Sequence, residues 1–206
     1  MNEKIELLRE KFMLLKSLDK ELNIFGASNH KYIFNEKLSE NEILEFESKY
    51  SIRLPSEYRD FLKYIGNGGA GPYYGLQTLS HSLYADLDYK RPSELVDPTL
   101  PFLLTEAWNM EFNGAPEDEE AYEKFSEEYF SEHWESGILR ICNYGCGVSM
   151  NLVVNGSETG NIWVDDRGND GGIYPDPYFG QTGKTSFGKW YEMWLDISLR
   201  EVQNED

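Results

Sequence analysis

The chain has 206 residues, of which 40% are hydrophobic and 15% aromatic, and its formal net charge is -18. This length supports one well-packed domain and is too short for two large ones. The excess of 37 acidic over 19 basic residues repels phosphate backbones, so we expect no nucleic-acid partner. The charge favours a basic protein partner, because opposite charges speed encounter, although acidity can also serve solubility alone.

The N-terminal part of the chain has the pattern of a helix. Ile5, Leu8 and Phe12 recur at helical spacing and predict an amphipathic helix over residues 3–23. We expect residues 1–37 to form a helical extension packed on the domain. No apolar run approaches the ~20 residues of a membrane helix, and no signal-peptide core is visible. The expectation is a cytoplasmic protein without membrane contact.

The next stretch predicts two helices in succession. Ser39 and Glu42 have the spacing of a capping box at the start of the first helix. The second helix is predicted over residues 56–65, after Pro55, and three residues at 67–69, Asn-Gly-Gly, end it. We read Leu54, Pro55, Trp163, Trp190 and Trp194 as structural framework.

The remaining elements alternate between strands and helices. Further helices are predicted at 117–132 and 186–202, and a loop rich in Gly, Pro and Asp at 168–183. Strands are predicted at 73–79, 103–107, 138–142, 148–154 and 161–164. The fold class expected is a single α+β domain, with a mixed, mostly antiparallel sheet flanked by helices.

Three blocks of sequence follow one another in a recognisable order. The residues of the first block are Ile43, Phe46, Glu47, Leu54, Pro55, Tyr58, Phe61, Leu62, Asn67, Gly68, Gly69, Tyr74, Gly75 and Leu76. The second block runs from Leu139-Arg140-Ile141 through Gly145-Cys146-Gly147, residues 152–156 and 160–163 to Asp165-Asp166-Arg167. The third consists of Ser186, Phe187, Trp190, Trp194 and Leu195. In this order the three blocks resemble the SUKH superfamily.

The resemblance implies a SUKH-like domain over residues 38–206, with an acidic insert at about 108–135 that the family pattern does not explain. It also implies an immunity protein, without enzymatic activity or cofactor, that binds and neutralises a cognate polymorphic toxin by stoichiometric blockade. The alternative is a regulatory interaction module, similar to the members of the superfamily related to cell-wall synthesis. A small-ligand binder or enzyme is a further alternative. Exposed aromatic residues fit a monomer or a weak homodimer.

The acidic insert carries the main hypothesis for a binding site. Between residues 108 and 135 there are ten acidic residues and one basic residue, Lys124, so the segment holds half of the net charge. Carboxylates interleaved with aromatic anchors suit a basic, nuclease-type toxin domain. The contact candidates are Trp108, Asp118, Glu119, Glu120, Tyr122, Glu123 and Glu127. The alternative is a solvated helix face whose aromatic residues pack on the body.

A second candidate surface is the segment with Asp165, Asp166 and Asp170, which we expect to be an exposed loop. Its Asp, Asn and Gly residues resemble a calcium loop, but no Glu follows at the position of the bidentate ligand. We therefore favour an ordinary turn and expect no metal. The three histidines, His30, His81 and His133, lie in unlike contexts that do not indicate a catalytic set.

Overall fold

The computed structural model describes residues 3–115, 117–180 and 183–204 of the chain. It is a mixed α+β domain, as the sequence predicts. The helices are α1 (Glu3–Leu18), α2 (Ala27–His30), α3 (Glu40–Tyr50), α4 (Ser56–Tyr64), α5 (Glu119–Tyr129) and α6 (Phe187–Asn204). The strands are β1 (Ile138–Gly145), β2 (Val148–Val153), β3 (Ile162–Asp165) and β4 (Ile173–Pro175). None of the described helices combines the length and the apolar character needed to cross a bilayer.

The four strands form one antiparallel sheet in the order β1-β2-β3-β4. The two faces of this sheet differ in chemistry because side chains alternate along each strand. Leu139, Met150, Leu152, Ile162 and Val164 join the main hydrophobic core. We call the opposite face the polar face, because Arg140, Ser149, Asn151 and Asp165 are buried on it, although the apolar Trp163 shares it.

Three helices supply most of the rest of the core. Helix α1 packs against α6 and α4, and the buried residues of α1 are Ile5, Leu8, Phe12 and Leu15. Lys11 of α1 bridges Glu192 at 2.9 Å and Asp196 at 2.7 Å, both on α6. The N-terminal helix is therefore built into the core by apolar contacts and by ion pairs.

The framework residues predicted from sequence lie in this core. Leu54, Trp163, Trp190 and Trp194 are buried and Pro55 is half-buried. The predicted capping box is also present: Ser39 Oγ accepts from the Glu42 amide at 3.3 Å, and the Ser39 amide donates to Glu42 Oε2 at 2.8 Å.

Three predictions of local structure are wrong. Residues 73–79 and 103–107 form no strand; near them the structure has isolated bridges, such as Leu76 with Cys142 and Trp108 with Ile173. Conversely, the predicted loop at 168–183 contains β4. The sheet therefore gains its fourth strand from a segment of three residues, too short to show a period in the sequence.

Substitution of Trp194 by Ala should test the framework assignment. Trp194 is 4% exposed and contacts the rings of His30 and Tyr191. Loss of the indole leaves a cavity, so we expect the free energy of unfolding to fall by about 3–5 kcal/mol. Met13→Ala, at a position 62% exposed, should change it by less than about 0.5 kcal/mol. Equal effects of the two substitutions in urea unfolding would contradict the assignment.

His30 should make the stability fall on acidification. Burial lowers the pKa of His30 to about 4, although the nearby Asp19 carboxylate opposes this shift. The unfolded chain takes up the proton near pH 6.5 and the folded protein does not, so stability decreases as the pH falls from 6.5 to 4. About 2 kcal/mol should be lost by pH 5. Urea unfolding across this range should show a weaker pH dependence in His30→Gln; an unchanged dependence would contradict this account.

Candidate partner-binding surface

The acidic insert forms a helix with an exposed, negatively charged side. Asp118 caps α5, its Oδ1 accepting from the Ala121 amide at 3.0 Å. Glu119, Glu120, Glu123 and Glu127 are exposed. Acidic residues in the first turn also suit the positive end of the helix dipole. The structure thus brings these five predicted carboxylates together on one short element.

The one basic residue of the insert offsets only part of this charge. Lys124 Nζ lies 2.6 Å from Glu120 Oε1, one helical turn away, and both side chains are more than 70% exposed. Such an exposed pair contributes less than about 1 kcal/mol and is screened by salt. The helix face therefore stays strongly negative.

Several aromatic residues of the insert pack on one another. Tyr129 is buried and stacks on Trp108 at 5.4 Å and on Phe125 at 5.4 Å between ring centroids. Trp108, predicted as a contact residue, is half-buried and also packs 4.3 Å from the ring of Trp134. Trp108 and Trp134 in turn pack against the hydrophobic core.

Two aromatic side chains of the insert remain available to a partner. Tyr122, a predicted contact residue, is 56% exposed, and Phe130 is 51% exposed. Exposed aromatic residues beside a charged rim are typical anchors of protein–protein interfaces. The exposed part of the insert therefore combines carboxylates with two apolar anchors.

The second candidate surface differs from its prediction at one residue. Asp165 is 6% exposed at the end of β3, so the expectation of an exposed loop is wrong there. Asp166 is half-buried and accepts from Tyr174 Oη at 3.1 Å. Asp170 is exposed, with a left-handed backbone (φ 58°). Within the described ranges, no group of three or more His, Cys, Asp or Glu residues could hold a metal ion.

Asp165 is buried because it belongs to a charge network of two arginines and two carboxylates. Its Oδ2 lies 3.0 Å from Arg140 Nη2 and 2.8 Å from Arg167 Nη2. Glu135 Oε1 lies 2.9 Å and 2.7 Å from the same two nitrogens. Burial alone would raise the pKa of Asp165, but the guanidinium groups of Arg140 and Arg167 lower it to about 2. Asp165 is therefore charged at neutral pH.

This network also holds the end of the acidic helix. Arg167 Nη1 donates to the carbonyl oxygen of Tyr129, the last residue of α5, at 3.0 Å. A guanidinium at a helix C-terminus pairs with an orphan carbonyl and complements the helix dipole. Glu135, which both arginines bind, follows α5 in a short 3-10 turn. Arg167 thus holds both the last residue of α5 and Glu135, which follows this helix in the chain.

The network could not be predicted from the sequence because it joins Asp165 and Arg167, two residues apart, to the distant Glu135 and Arg140. Asp165 lies 25 residues from Arg140 and Arg167 lies 32 from Glu135. One signal was available: in β2, polar Ser149 and Asn151 alternate with apolar residues. That alternation indicates a polar sheet face, on which an arginine of β1 and an aspartate of β3 can meet across β2.

Comparison with known families identifies the relatives of this fold. The sequence matches the SMI1 / KNR4 family (SUKH-1) over residues 37–193. The chain belongs to this family. The match runs from just before α3 into α6, and α1 lies outside it. No curated protein and no solved structure matches the chain.

Within this SUKH-1 domain, the family match covers both the acidic helix and the network that holds it. The resemblance seen in the three sequence blocks is thereby confirmed at the level of the family. The insert lies inside the matched range of residues rather than beside it.

Removing Arg167 should destabilise this SUKH-1 domain strongly. Arg167→Met leaves buried Asp165 without one of its two cations, so we expect a loss of about 3–5 kcal/mol in the free energy of unfolding. The matched control is Lys124→Met, which breaks an exposed pair and should cost less than about 1 kcal/mol. Similar losses in the two variants, measured by urea unfolding, would show that the buried network does not stabilise the fold.

Proposed function

We propose that this chain is an immunity protein that neutralises a cognate toxin by binding it one to one, without turnover or cofactor. The toxin proposed is a basic, nuclease-type domain. Membership of the SMI1 / KNR4 (SUKH-1) family supports this proposal. The observation that carries the choice of a basic partner is the exposed acidic helix of a chain with a net charge of -18.

The mechanism is blockade of a basic cleft. A nuclease binds phosphates through Lys and Arg side chains, so a rigid row of carboxylates can occupy the same groups. Asp118 and the glutamates of α5 supply the charge that steers encounter, and Tyr122 and Phe130 supply apolar contacts that slow dissociation. On the second candidate surface, Asp170 is exposed and Asp166 is half-exposed, so the partner can contact these two residues.

Capture of the partner from the native cell tests the proposal. The protein is used as bait, the washes are done at low and moderate salt, and bound proteins are identified by mass spectrometry. We expect a single basic domain of a large secreted protein, recovered near one to one, whose activity the bait inhibits. Recovery of regulatory proteins without any toxin would contradict immunity and favour the regulatory alternative.

Charge reversal on α5 should slow the association with the captured partner. In Glu119→Lys/Glu120→Lys/Glu123→Lys the attraction to a basic surface is lost, and we expect the association rate at low salt to fall about tenfold or more. The dissociation rate should change less, because rim charges act mainly on encounter.

The matched control reverses three exposed glutamates outside α5, in Glu10→Lys/Glu21→Lys/Glu45→Lys. It changes the net charge equally, so a specific role of α5 requires a smaller effect from the control. Circular dichroism should show intact folds for both variants. Equal association rates for the two variants in stopped-flow measurements would remove α5 from the mechanism.

A further inference from the structure

A cleft of about 320 Å³ opens on the polar face of the sheet, next to the acidic helix. Its lining includes the segment 85–89, Phe130 and Glu135, together with Arg140 and Asp165 of the charge network. This volume is at the lower end of the range for ligand pockets and suits one large side chain.

The cleft has a net negative charge although two arginines line it. Its carboxylates are Asp86, Asp88, Glu135 and Asp165, against the guanidinium groups of Arg140 and Arg167, which leaves a net charge of -2. Nε and both terminal nitrogens of Arg167 already donate to Asp165, Glu135 and the carbonyl oxygens of residues 129 and 131. The cleft therefore offers little to an anion and attracts a cation.

Asp86 and Asp88, in the segment 85–89, each use only one carboxylate oxygen in hydrogen bonds to the described residues. Asp86 Oδ1 accepts from the amides of Asp88 and Tyr89, at 2.8 Å and 3.0 Å. Asp88 Oδ1 accepts from Asn143 Nδ2 at 2.7 Å. In the part of the chain that the structure describes, no bond is formed by the second oxygen of either group. Each can therefore accept a hydrogen bond from a ligand.

Two exposed aromatic rings belong to the lining of the cleft. Tyr89 is 72% exposed and Phe130 is 51% exposed. Both rings already lie near a guanidinium of the chain itself, Arg91 at 5.3 Å and Arg167 at 6.0 Å from the ring centroids. Rings of this kind favour a planar cation over their faces.

Arg140, a residue of the lining, has a hydrogen-bond donor without a partner in the described ranges. Arg140 is 5% exposed, and its Nε–H has no acceptor among the described residues. This nitrogen is itself buried, so it does not select the ligand. The free carboxylate oxygens and the rings decide the ligand, which is a cation.

We propose that the cleft receives an arginine side chain from a loop of the bound partner. The guanidinium is held by Asp86 and Asp88, next to the exposed rings of Tyr89 and Phe130. Arginine fits better than lysine because its planar fork binds carboxylates in pairs and stacks on rings. The partner in this proposal rests on the proposed function; the chemistry of the cleft stands on its own.

The first test uses the isolated protein and a blocked amino acid, N-acetyl-arginine methylamide, which carries both a guanidinium and amide oxygens. Titration followed by NMR should give saturable shifts of the backbone amides of Asn143, Gly147 and Gly168. In Asp86→Asn/Asp88→Asn the dissociation constant should rise about five- to tenfold. Asparagine keeps an oxygen for the turn bonds, so the fold should remain intact, which the unfolding midpoint checks.

The control variant, Glu10→Gln/Glu21→Gln, removes the same charge from exposed positions on and after α1. It should bind the probe as the unchanged protein does. Shifts spread over the whole surface, or equal affinity in the cleft variant, would overturn the proposal. Equally tight binding of N-acetyl-lysine methylamide would overturn the choice of arginine.

The two proposals can fail separately. If the probe binds in the cleft but capture recovers no toxin, only the proposed function fails. If a toxin is captured and Asp86→Asn/Asp88→Asn binds it with unchanged affinity, only the cleft proposal fails. A loss of at least about tenfold in toxin affinity, larger than in the control variant, supports both.

Discussion

The arrangement of α5 and of the cleft beside it depends on the ion pairing between Arg167 and Asp165. Arg167 reaches Asp165 at the end of β3, Glu135 beyond α5 and the last carbonyl of α5, so one guanidinium joins three elements. Arg140 adds a second cation from β1. Buried charges are costly unless they are paired and hydrogen-bonded, and here each charge has an opposite charge within 3.0 Å. The arrangement is therefore strongly restricted in geometry.

The two faces of the sheet have different surroundings. The apolar face joins the core with α1, α4 and α6 and stabilises the fold. The polar face holds α5 and lines the cleft, and both present carboxylates and exposed aromatic rings to solvent. A rigid surface loses less entropy on binding, so a fixed acidic helix suits tight binding better than a mobile acidic tail. In the function proposed above, the helix and the cleft each receive basic side chains of the partner, at two neighbouring positions.

The sequence predicts those features that are local. The capping box at Ser39 depends on residues three apart, and the helix at 187–204 follows from its aromatic periodicity. Strands β1 to β3 also lie within three residues of their predicted bounds. Their strong apolar content leaves few alternatives. Features of this kind need no knowledge of the tertiary structure.

The features that failed depend on distant contacts. Asp165 resembles part of an exposed turn because Asp, Arg, Gly and Asn surround it, yet Arg140, 25 residues earlier, makes its burial possible. Trp108 stays a contact candidate, but the sequence does not show that Tyr129 and Trp134 pack on its ring and leave it half-buried. The cleft adds residues 86 and 88, which no sequence motif marks and which the fold brings into one lining with Phe130. Charge and composition predict a surface rich in carboxylates and aromatic rings. Which of these residues lie side by side follows only from the fold.

The most direct test of the account is hydrogen exchange of the protein with and without its captured partner, read by mass spectrometry. A partner that binds the acidic helix and the cleft should slow exchange in two segments, residues 119–130 and 85–89, while the amides of α1 exchange as before. Protection confined to α1 and the segment up to residue 37, with both binding segments unchanged, would contradict the account and move the interface to the opposite end of the chain.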